Sequence, residues 1–396
     1  MEVVAQGAVE DPLTVYLVTM GPGSEVWNRF GHNAIWIHDE RTGEDLVWNW
    51  GLFAFDQVGF IPRLIRGQML YSMGGFTLEQ TIRQYEREGR DVWAQELALT
   101  PQQKEDLDRF VRRNAQPANR DYFYDYYLDN CSTRVRDALD LVLDGAIERH
   151  FGEIQTGTTW RWHTRRLLRD APWAYGGVAL VLGQPGDDTI TAWEEMFLPM
   201  RLRSHLAGLF VEQRDGSMRP LVAGEIQLVE GTRGAPPTEP VTTWPRYLLL
   251  GLGIGALVLL AGLAASRGAA GRAVAALPVA LVGLVVGGAG VILLAAYLTD
   301  HTFWYRNENI FFVSPFSLLV ALFALGAVAR PRLVEGAARM ARWVAVLALV
   351  GAALKLLPFF DQGNLEIVAL ALPVHLAVAV AVGRWRSAAD RADAAA

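Results

Sequence analysis

The stretch Asp129-Asn130-Cys131-Ser132-Thr133 holds the only cysteine of the chain. Apolar residues recur after it at helical spacing, as Val135, Ala138, Leu139 and Val142. Because Asn130 is a good helix cap, we expect the thiol to lie in the first turn of a helix. The unpaired backbone N–H groups and the helix dipole at that position favour the thiolate form. The alternative is an inert, buried cysteine.

A histidine begins a predicted strand far upstream, in Gly31-His32-Asn33-Ala34-Ile35-Trp36-Ile37. A thiol at a helix start facing a histidine on a strand is typical of cysteine hydrolases and acyltransferases. His32 is therefore the candidate catalytic base for Cys131; its alternative is a structural histidine at a strand start. Asn49, between two tryptophans on the next predicted strand, is the candidate residue that orients the imidazole. Its alternative is a hydrogen bond to nearby backbone.

Composition excludes several classes of protein. The net charge of −6 argues against a nucleic-acid-binding protein. A single cysteine excludes internal disulfides and zinc sites built from cysteine pairs. The sequence has no His-Glu-x-x-His motif. We therefore expect neither a metal nor a cofactor.

The second half of the chain is rich in Leu, Val, Ala and Gly, which predicts a membrane domain. We predict an outer domain over residues 1–230, a proline-rich tether over 231–246, about five transmembrane helices over 247–383 and a cytoplasmic tail over 384–396. The predicted spans are Tyr247–Ala265, Ala273–Leu298, Ile310–Val328, Trp343–Phe359 and Ile367–Val382.

Arginines are distributed unevenly among the connections between these spans. Two follow the first span and four follow the third, whereas the connections Asp300–Asn309 and Phe360–Glu366 hold only Arg306. The positive-inside rule places the arginine-rich connections in the cytoplasm and the amino-terminal domain on the outer face. Since Met1–Pro12 has no apolar core of a signal peptide, we expect the chain to start after, or without, its signal.

Alternation and capping signals predict an α+β outer domain. The predicted strands are Leu13–Met20, Ala34–His38, Leu46–Gly51 and Val92–Leu99, and the main predicted helices are Thr77–Glu88, Thr100–Asn114 and Cys131–Asp144.

Two motifs in this order carry a family resemblance. Phe30-Gly31-His32 before a strand, and Tyr127–Arg134 followed by Arg136-Asp137, resemble the Lnb amino-terminal periplasmic domain family. The loop Thr299–Asn309 is similar to the outer loop that follows the second span in members with membrane helices. The resemblance covers both halves of the chain. It implies a circularly permuted papain-like (NlpC-type) thiol fold, with the histidine strand before the cysteine helix.

The resemblance also implies an activity. Members with several membrane spans include a lipoprotein N-acyltransferase of the bacterial inner membrane, whose catalytic domain lies in the periplasm. Such an enzyme moves a fatty acyl chain from a phospholipid, through a cysteine thioester, to the terminal amine of a diacylated lipoprotein. The residues themselves leave two alternatives open. One is a cysteine hydrolase (a phospholipase or a cell-wall amidase or endopeptidase), and the other is a membrane receptor or assembly subunit with an inert cysteine.

Further candidates have structural alternatives. Asn130 either caps the helix or lends its amide to an oxyanion site. For the other candidates, the alternatives are surface ion pairs for the arginines, core packing for the tyrosine and an ordinary interfacial belt for the residues of the loop Thr299–Asn309. The possible substrate-binding residues are Arg29, Tyr127, Arg134, His301, Asn307 and Asn309.

Three other polar residues complete the predictions. Lys355, near the outer end of a predicted span, is expected to snorkel to the interface. His375 lies within the last span, where it either has a function or bonds a neighbouring helix. His38 is expected to be a solvated loop residue.

Overall fold

The computed structural model describes residues 11–53, 57–212 and 216–394. The expectation about a signal segment falls mainly on residues 1–10, outside the described residues. The strands and α-helices in chain order are β1 (Leu13–Met20), β2 (His32–Asp39), β3 (Glu44–Phe53), α1 (Phe60–Arg66), β4 (Leu70–Thr77), α2 (Leu78–Glu88), β5 (Val92–Leu97), α3 (Pro101–Asn114), β6 (Asp121–Phe123), α4 (Cys131–Val142), α5 (Ala146–Phe151), β7 (Gln155–Thr159), α6 (Trp160–Leu168), α7 (Pro172–Val181), β8 (Thr189–Thr191), α8 (Ala192–Glu195), α9 (Pro199–Ala207), β9 (Phe210–Glu212), β10 (Met218–Pro220), β11 (Val222–Val229), α10 (Trp244–Gly262), α11 (Gly268–Ala295), α12 (Ser317–Ala329), α13 (Val334–Leu354) and α14 (Leu365–Ala394).

The chain divides into two compact units. The first comprises residues 1–170 and 189–239, and the second comprises residues 171–188 and 240–396. The second unit therefore includes α7, which lies among the residues predicted to form the outer domain.

In the first unit, seven described strands form an antiparallel sheet in the order β11-β5-β1-β2-β3-β4-β6. Alternate side chains point to opposite faces. Ile35 and Trp50 lie in the core on one face together with Val135 of α4, whereas Ala34 lies in the core on the other face with Tyr85 of α2. The prediction of a domain that mixes strands and helices is confirmed.

The second unit contains apolar helices. Four helices of the described chain are long and apolar enough to cross a membrane: Trp244–Gly262, Gly268–Leu298, Pro331–Leu354 and Leu365–Ser387. The prediction of five such helices is wrong at the third predicted span. Only Ser317–Ala329, with 13 residues, is helical there. Such a helix rises about 20 Å, less than the hydrocarbon core of about 30 Å.

The third predicted span is shortened at its beginning, where Ser314 and Pro315 interrupt the apolar run. Asn309 and Ser314 are buried before the helix, and Pro315 cannot donate a backbone hydrogen bond. The segment nevertheless runs along α11. Arg272 donates to the carbonyl of Val328, 3.2 Å away, and a Cβ at Gly290 would overlap the carbonyl of Val313.

Arg272 and Gly290 are about 27 Å apart along α11. The segment from Val313 to Val328 contacts both positions, so the turns before α12 add the length that its 13 residues lack.

The limits of the last two helices also differ from the prediction. The helix that contains Trp343 begins at Val334 and ends at Leu354, so its first turns include Arg339 and Arg342, which we assigned to a connection. The last helix continues to Ala394, through most of the predicted tail.

Candidate active site

The backbone turns sharply just before β2, and this turn brings His32 to one end of the sheet. Gly31 has a φ of 88°, which L side chains rarely adopt. A Cβ at Gly31 would also lie 2.9 Å from the carbonyl oxygen of Met20. The glycine of the Phe30-Gly31-His32 motif is therefore required by the backbone.

His32 and Asn49 are hydrogen-bonded between neighbouring strands. The distance from His32 Nε2 to Asn49 Oδ1 is 3.0 Å. Asn49 Nδ2 donates to the carbonyl of Val47 at 2.9 Å, which turns Oδ1 toward the imidazole. Because Oδ1 can only accept, Nε2 carries the proton of the neutral ring and Nδ1 is the basic nitrogen. Asn49 thus makes both of the bonds that the sequence left as alternatives.

The His32 side chain is neutral in the folded protein near pH 7. Burial lowers the pKa of His32 to about 4, and the hydrogen bond to Asn49 only partly opposes this effect. A neutral imidazole with a free lone pair can accept a proton, as a general base must.

Asn130 caps α4. Its Oδ1 accepts from the backbone N–H groups of Ser132 at 2.8 Å and Thr133 at 3.0 Å. Its Nδ2 donates to the carbonyls of Tyr126 at 2.9 Å and Phe197 at 3.1 Å. Since both amide hydrogens are engaged, this geometry corresponds to the capping alternative, and the backbone N–H of Cys131 is the better candidate oxyanion donor.

Cys131 is the first residue of α4 and is 9 % exposed. Burial raises the pKa of its thiol to about 11, although backbone hydrogen bonds from Asn33, Ser132 and Cys131 itself act in the opposite direction. The backbone N–H groups at the helix start thus favour thiolate, as expected, but desolvation outweighs them and the net pKa of the thiol is raised in the resting protein. The thiol is protonated until a base removes its proton.

A link between Asn33 and Ser132 was not expected from the sequence. Ser132 Oγ lies 2.8 Å from Asn33 Oδ1 and 2.6 Å from the carbonyl oxygen of Met196. Asn33 Nδ2 donates to Thr19 Oγ1 at 2.8 Å. Asn33 and Ser132 are fully buried, so this bond fixes the residue after His32 to the residue after Cys131.

Gly51 and several tyrosines lie beside the thiol. Gly51 has a φ of 89°, and a Cβ there would be 3.4 Å from Cys131 Cβ and in ordinary van der Waals contact with Tyr122 and Tyr124. The rings of Tyr71 and Tyr124 stack at 4.1 Å. Burial raises the pKa of Tyr71 to about 12 and also raises those of Tyr122 and Tyr124. These phenols are therefore neutral and give the site an aromatic wall.

Tyr127 lies in the core. Its hydroxyl is 2.8 Å from Thr164 Oγ1, and its ring contacts those of Trp160 and Phe197, with centroids 5.1 and 5.4 Å away. These contacts correspond to core packing, the alternative given for this residue.

The two arginines among the possible substrate-binding residues differ in their contacts. Arg134 forms an ion pair with Asp129 and lies 4.3 Å from the ring centre of Tyr122. Within the described part of the chain, Arg29 forms no ion pair, and its buried Nε has no hydrogen-bond partner. Arg29 is therefore the arginine with the greater capacity to bind an added anion.

Asn307 and Asn309 belong to the second unit, where they hold the end of α7. Asn307 Nδ2 donates to the carbonyls of Leu180 at 3.1 Å and Val181 at 2.8 Å. Asn309 Nδ2 donates to the carbonyls of Ala179 at 3.0 Å and Leu180 at 2.8 Å. The last carbonyls of a helix have no partner within it, and these amides supply partners for them.

Other polar residues of the second unit are also engaged. The His301 ring stacks on Trp304 with centroids 4.4 Å apart. Lys355 does not reach the interface as a free cation, because its Nζ lies 2.6 Å from Glu308 Oε2 and donates to the Gln362 carbonyl at 2.6 Å. His375 Nε2 lies 2.7 Å from the carbonyl oxygen of Phe312.

A buried charge cluster in the first unit was not expected. Glu195 lies 3.0 Å from His163 Nε2, 2.8 Å from His205 Nε2 and 3.4 Å from Arg201 Nε. The hydrogen bonds from both histidines hold the pKa of Glu195 well below its usual range, although burial acts in the opposite direction. In the described residues, no group of His, Cys, Asp and Glu side chains is arranged to hold a metal ion.

The first unit is thus a mixed α/β domain with a buried thiol near a histidine–asparagine pair, and the second carries membrane-length helices. Together they describe a membrane protein that also has a folded α/β domain. Residues 8–169 match the family model described as the Lnb N-terminal periplasmic domain, so this part of the chain is a domain of that family. The match includes His32, Asn49 and Cys131. No curated protein and no solved structure matches the chain.

Proposed function

We propose that this protein is a lipoprotein N-acyltransferase of the bacterial inner membrane, with its Cys–His site in the periplasm. The observation that carries the proposal is the His32–Asn49 hydrogen bond of 3.0 Å. This bond occupies Nε2 and leaves the basic Nδ1 of His32 available to accept the proton of a thiol. Cys131, the first residue of α4, lies at the same end of the sheet. The family match and the four apolar helices support a membrane-bound enzyme.

In the first half-reaction, His32 Nδ1 takes the proton of the Cys131 thiol, and the sulfur attacks an ester carbonyl of a phospholipid. The ester C–O bond breaks as the C–S bond of the thioester forms. The protonated His32 returns its proton to the departing alcohol, which leaves as a lysophospholipid. The Cys131 N–H stabilises the negative oxygen of the tetrahedral intermediate.

In the second half-reaction, the terminal amine of a diacylated lipoprotein attacks the thioester carbonyl. The C–N bond of the amide forms and the C–S bond breaks. His32 accepts the proton lost by the amine and passes it to the Cys131 sulfur. The buried position of Cys131 limits access of water, which favours an amine acceptor over hydrolysis.

Two further features belong to the proposal. Arg29, three residues before His32, binds the phosphate of a lipid. The strands with His32 and Asn49 precede the helix with Cys131, an order that supports a circularly permuted papain-like domain.

The experiment is intact-mass spectrometry of the purified full chain in phospholipid micelles, before and after addition of a diacylated lipopeptide. We expect a fatty-acyl adduct on the wild type that moves to the peptide amine. Cys131→Ser and His32→Ala should form no adduct. His38→Ala is the matched control, because His38 lies on the same strand but pairs with Asp45 at 2.9 Å.

The outcomes separate the alternatives. An adduct that decays to free fatty acid regardless of peptide would identify a lipase. The absence of an adduct with every phospholipid would contradict the lipid substrate, and cell-wall peptides would then be the substrates to test. Loss of the adduct in His38→Ala as well would mean that general damage to the fold explains the His32 result.

A further inference from the structure

The connection between β3 and β4 contains the short helix α1, and side-chain contacts fix its two ends to the sheet. Two hydrogen bonds join Gln57, before the helix, to Leu70, after it. Gln57 Nε2 donates to the Leu70 carbonyl at 2.6 Å, and the Leu70 N–H donates to Gln57 Oε1 at 3.1 Å. Phe60 packs against Phe53 with ring centres 6.1 Å apart. These contacts fix the position of α1 next to the sheet.

The outer side of this connection is apolar and exposed. Val58 is 91 % exposed, and Ile61, Leu64 and Ile65 are exposed as well. Ile61 and Ile65 are four residues apart and so lie on one face of α1. Single exposed aliphatic residues are common, but four within eight residues form a patch that indicates a binding surface.

This patch lies at the same end of the sheet as the candidate active site. Because β2 and β3 are antiparallel, with Ala34 opposite Asn49, the end of β3 and the start of β2 are neighbours. The pairing of β4 with β6 places Leu70 opposite Phe123. Phe123 and Leu128, both exposed, lie on the segment that leads into Cys131.

The charges near the patch favour a lipid surface. Arg63 and Arg66 lie in the last turn of α1, which contains no acidic residue. Trp27, 78 % exposed, lies in the connection from β1 to β2 at this end of the sheet. Apolar residues flanked by arginine and tryptophan are typical of segments that lie in the interface of an anionic membrane.

We propose that the apolar rim formed by Val58, Ile61, Leu64, Ile65, Phe123 and Leu128 inserts into the outer surface of a phospholipid bilayer. The rim then brings the mouth of the Cys131 site to the depth of the lipid ester groups. This inference deepens the proposed function and rests on it for the identity of the substrate, but bilayer contact is measurable without catalysis.

The test uses the full chain with Cys131→Ser, which has no other cysteine and forms no acyl-enzyme. A nitroxide label is attached at Ile61→Cys or Ile65→Cys, and the protein is placed in vesicles of phosphatidylethanolamine with phosphatidylglycerol as minor component. The control is Leu141→Cys, because Leu141 is equally exposed and lies about 15 Å along α4 from its start.

We expect the ratio of oxygen to nickel-chelate accessibility at positions 61 and 65 to exceed that at 141 several-fold. Equal ratios at all three positions would overturn the proposal. Dipolar broadening between labels at position 61 would overturn it too, since a second copy of the chain would then cover the rim. Failure of this test leaves the acyl-transfer result unaffected, and absence of an acyl adduct leaves a measured bilayer contact intact.

Discussion

Ser132 Oγ lies 2.8 Å from Asn33 Oδ1, so the residue after the candidate nucleophile is bonded to the residue after the candidate base. The two residues are far apart in the chain and both are fully buried. This bond fixes the first turn of α4 against β2. The relative position of Cys131 and His32 therefore depends on a pair of side chains that take no part in the chemistry.

Ser132→Ala removes this bond and leaves Asn33 Oδ1 without that partner. We expect kcat for acyl transfer to fall by up to about 10²-fold, because a displacement of about 1 Å between reacting groups has that effect. KM should change little, since the substrate-binding surface is untouched. Steady-state kinetics with varied lipopeptide measures the two constants.

Ser204→Ala is the control for Ser132→Ala, because Ser204 is exposed on α9 and bonds only the Met200 carbonyl within the described residues. A Ser132→Ala variant with unchanged kcat would contradict the positioning role.

The reactivity of Cys131 with iodoacetamide should depend on pH as expected for a buried neutral thiol. Burial raises the thiol pKa to about 11 and lowers the pKa of His32 to about 4. The thiol therefore stays protonated between these values, and the alkylation rate should rise steadily above pH 8 toward pH 11. Mass spectrometry of the single-cysteine chain gives the rate at each pH. A rate that is already constant between pH 5 and 8 would indicate a thiolate–imidazolium pair and contradict this prediction.

Gly51→Ala should reduce both stability and activity. A left-handed φ costs an alanine about 1–2 kcal/mol, and the new methyl group would lie 3.4 Å from Cys131 Cβ. Gly43→Ala is the matched control, since Gly43 has a φ of 69° and nothing lies within 4 Å of its Cβ position. Both variants should lower the melting temperature, but only Gly51→Ala should slow acyl-enzyme formation. Equal rates in the two variants would argue against close contact at the thiol.

Glu195→Gln should destabilise the first unit by about 3 kcal/mol, because it removes the charge that His163, His205 and Arg201 surround. The pKa of Glu195 is lowered in the folded state, so the unfolded chain binds the proton more readily. Its contribution to stability is therefore complete above the ordinary carboxyl pKa of about 4.3 and is lost as the pH falls below it.

Urea unfolding of wild type and Glu195→Gln at pH 7 and pH 4 measures this effect, and the difference between them should shrink at the lower pH. Glu194→Gln provides the control, because Glu194 accepts from the Thr191 N–H in a capping box that glutamine also completes. A difference that is the same at both pH values would exclude the ionised carboxylate as its cause.

The sequence predicts those parts of the fold that depend on local signals. β1 has the predicted limits, Leu13–Met20. The helices predicted to start at Thr77 and Thr100 do start there, and each of these residues forms a capping box. Asn130 likewise starts α4 with Cys131 as its first residue.

The features that the sequence did not predict depend on burial and on contacts between distant residues. A motif shows that a thiol lies at a helix start, but the raised thiol pKa comes from the desolvation of Cys131 in the folded chain. The bonds between Glu195 and His163, and between Asn33 and Ser132, join segments with no common pattern. The apolar residues of α1 were missed because a seven-residue helix shows too few turns for its periodicity to be recognised.

Because α7 belongs to the second unit although it interrupts the first, the chain passes between the two units three times. Cutting the chain at the proline-rich tether would break only the last of these passages. A water-soluble fragment ending there would keep α7 but lose Asn307 and Asn309, the residues that bind its final carbonyls. A soluble version of the thiol domain therefore requires a short linker in place of residues 171–188, in addition to a stop codon before α10.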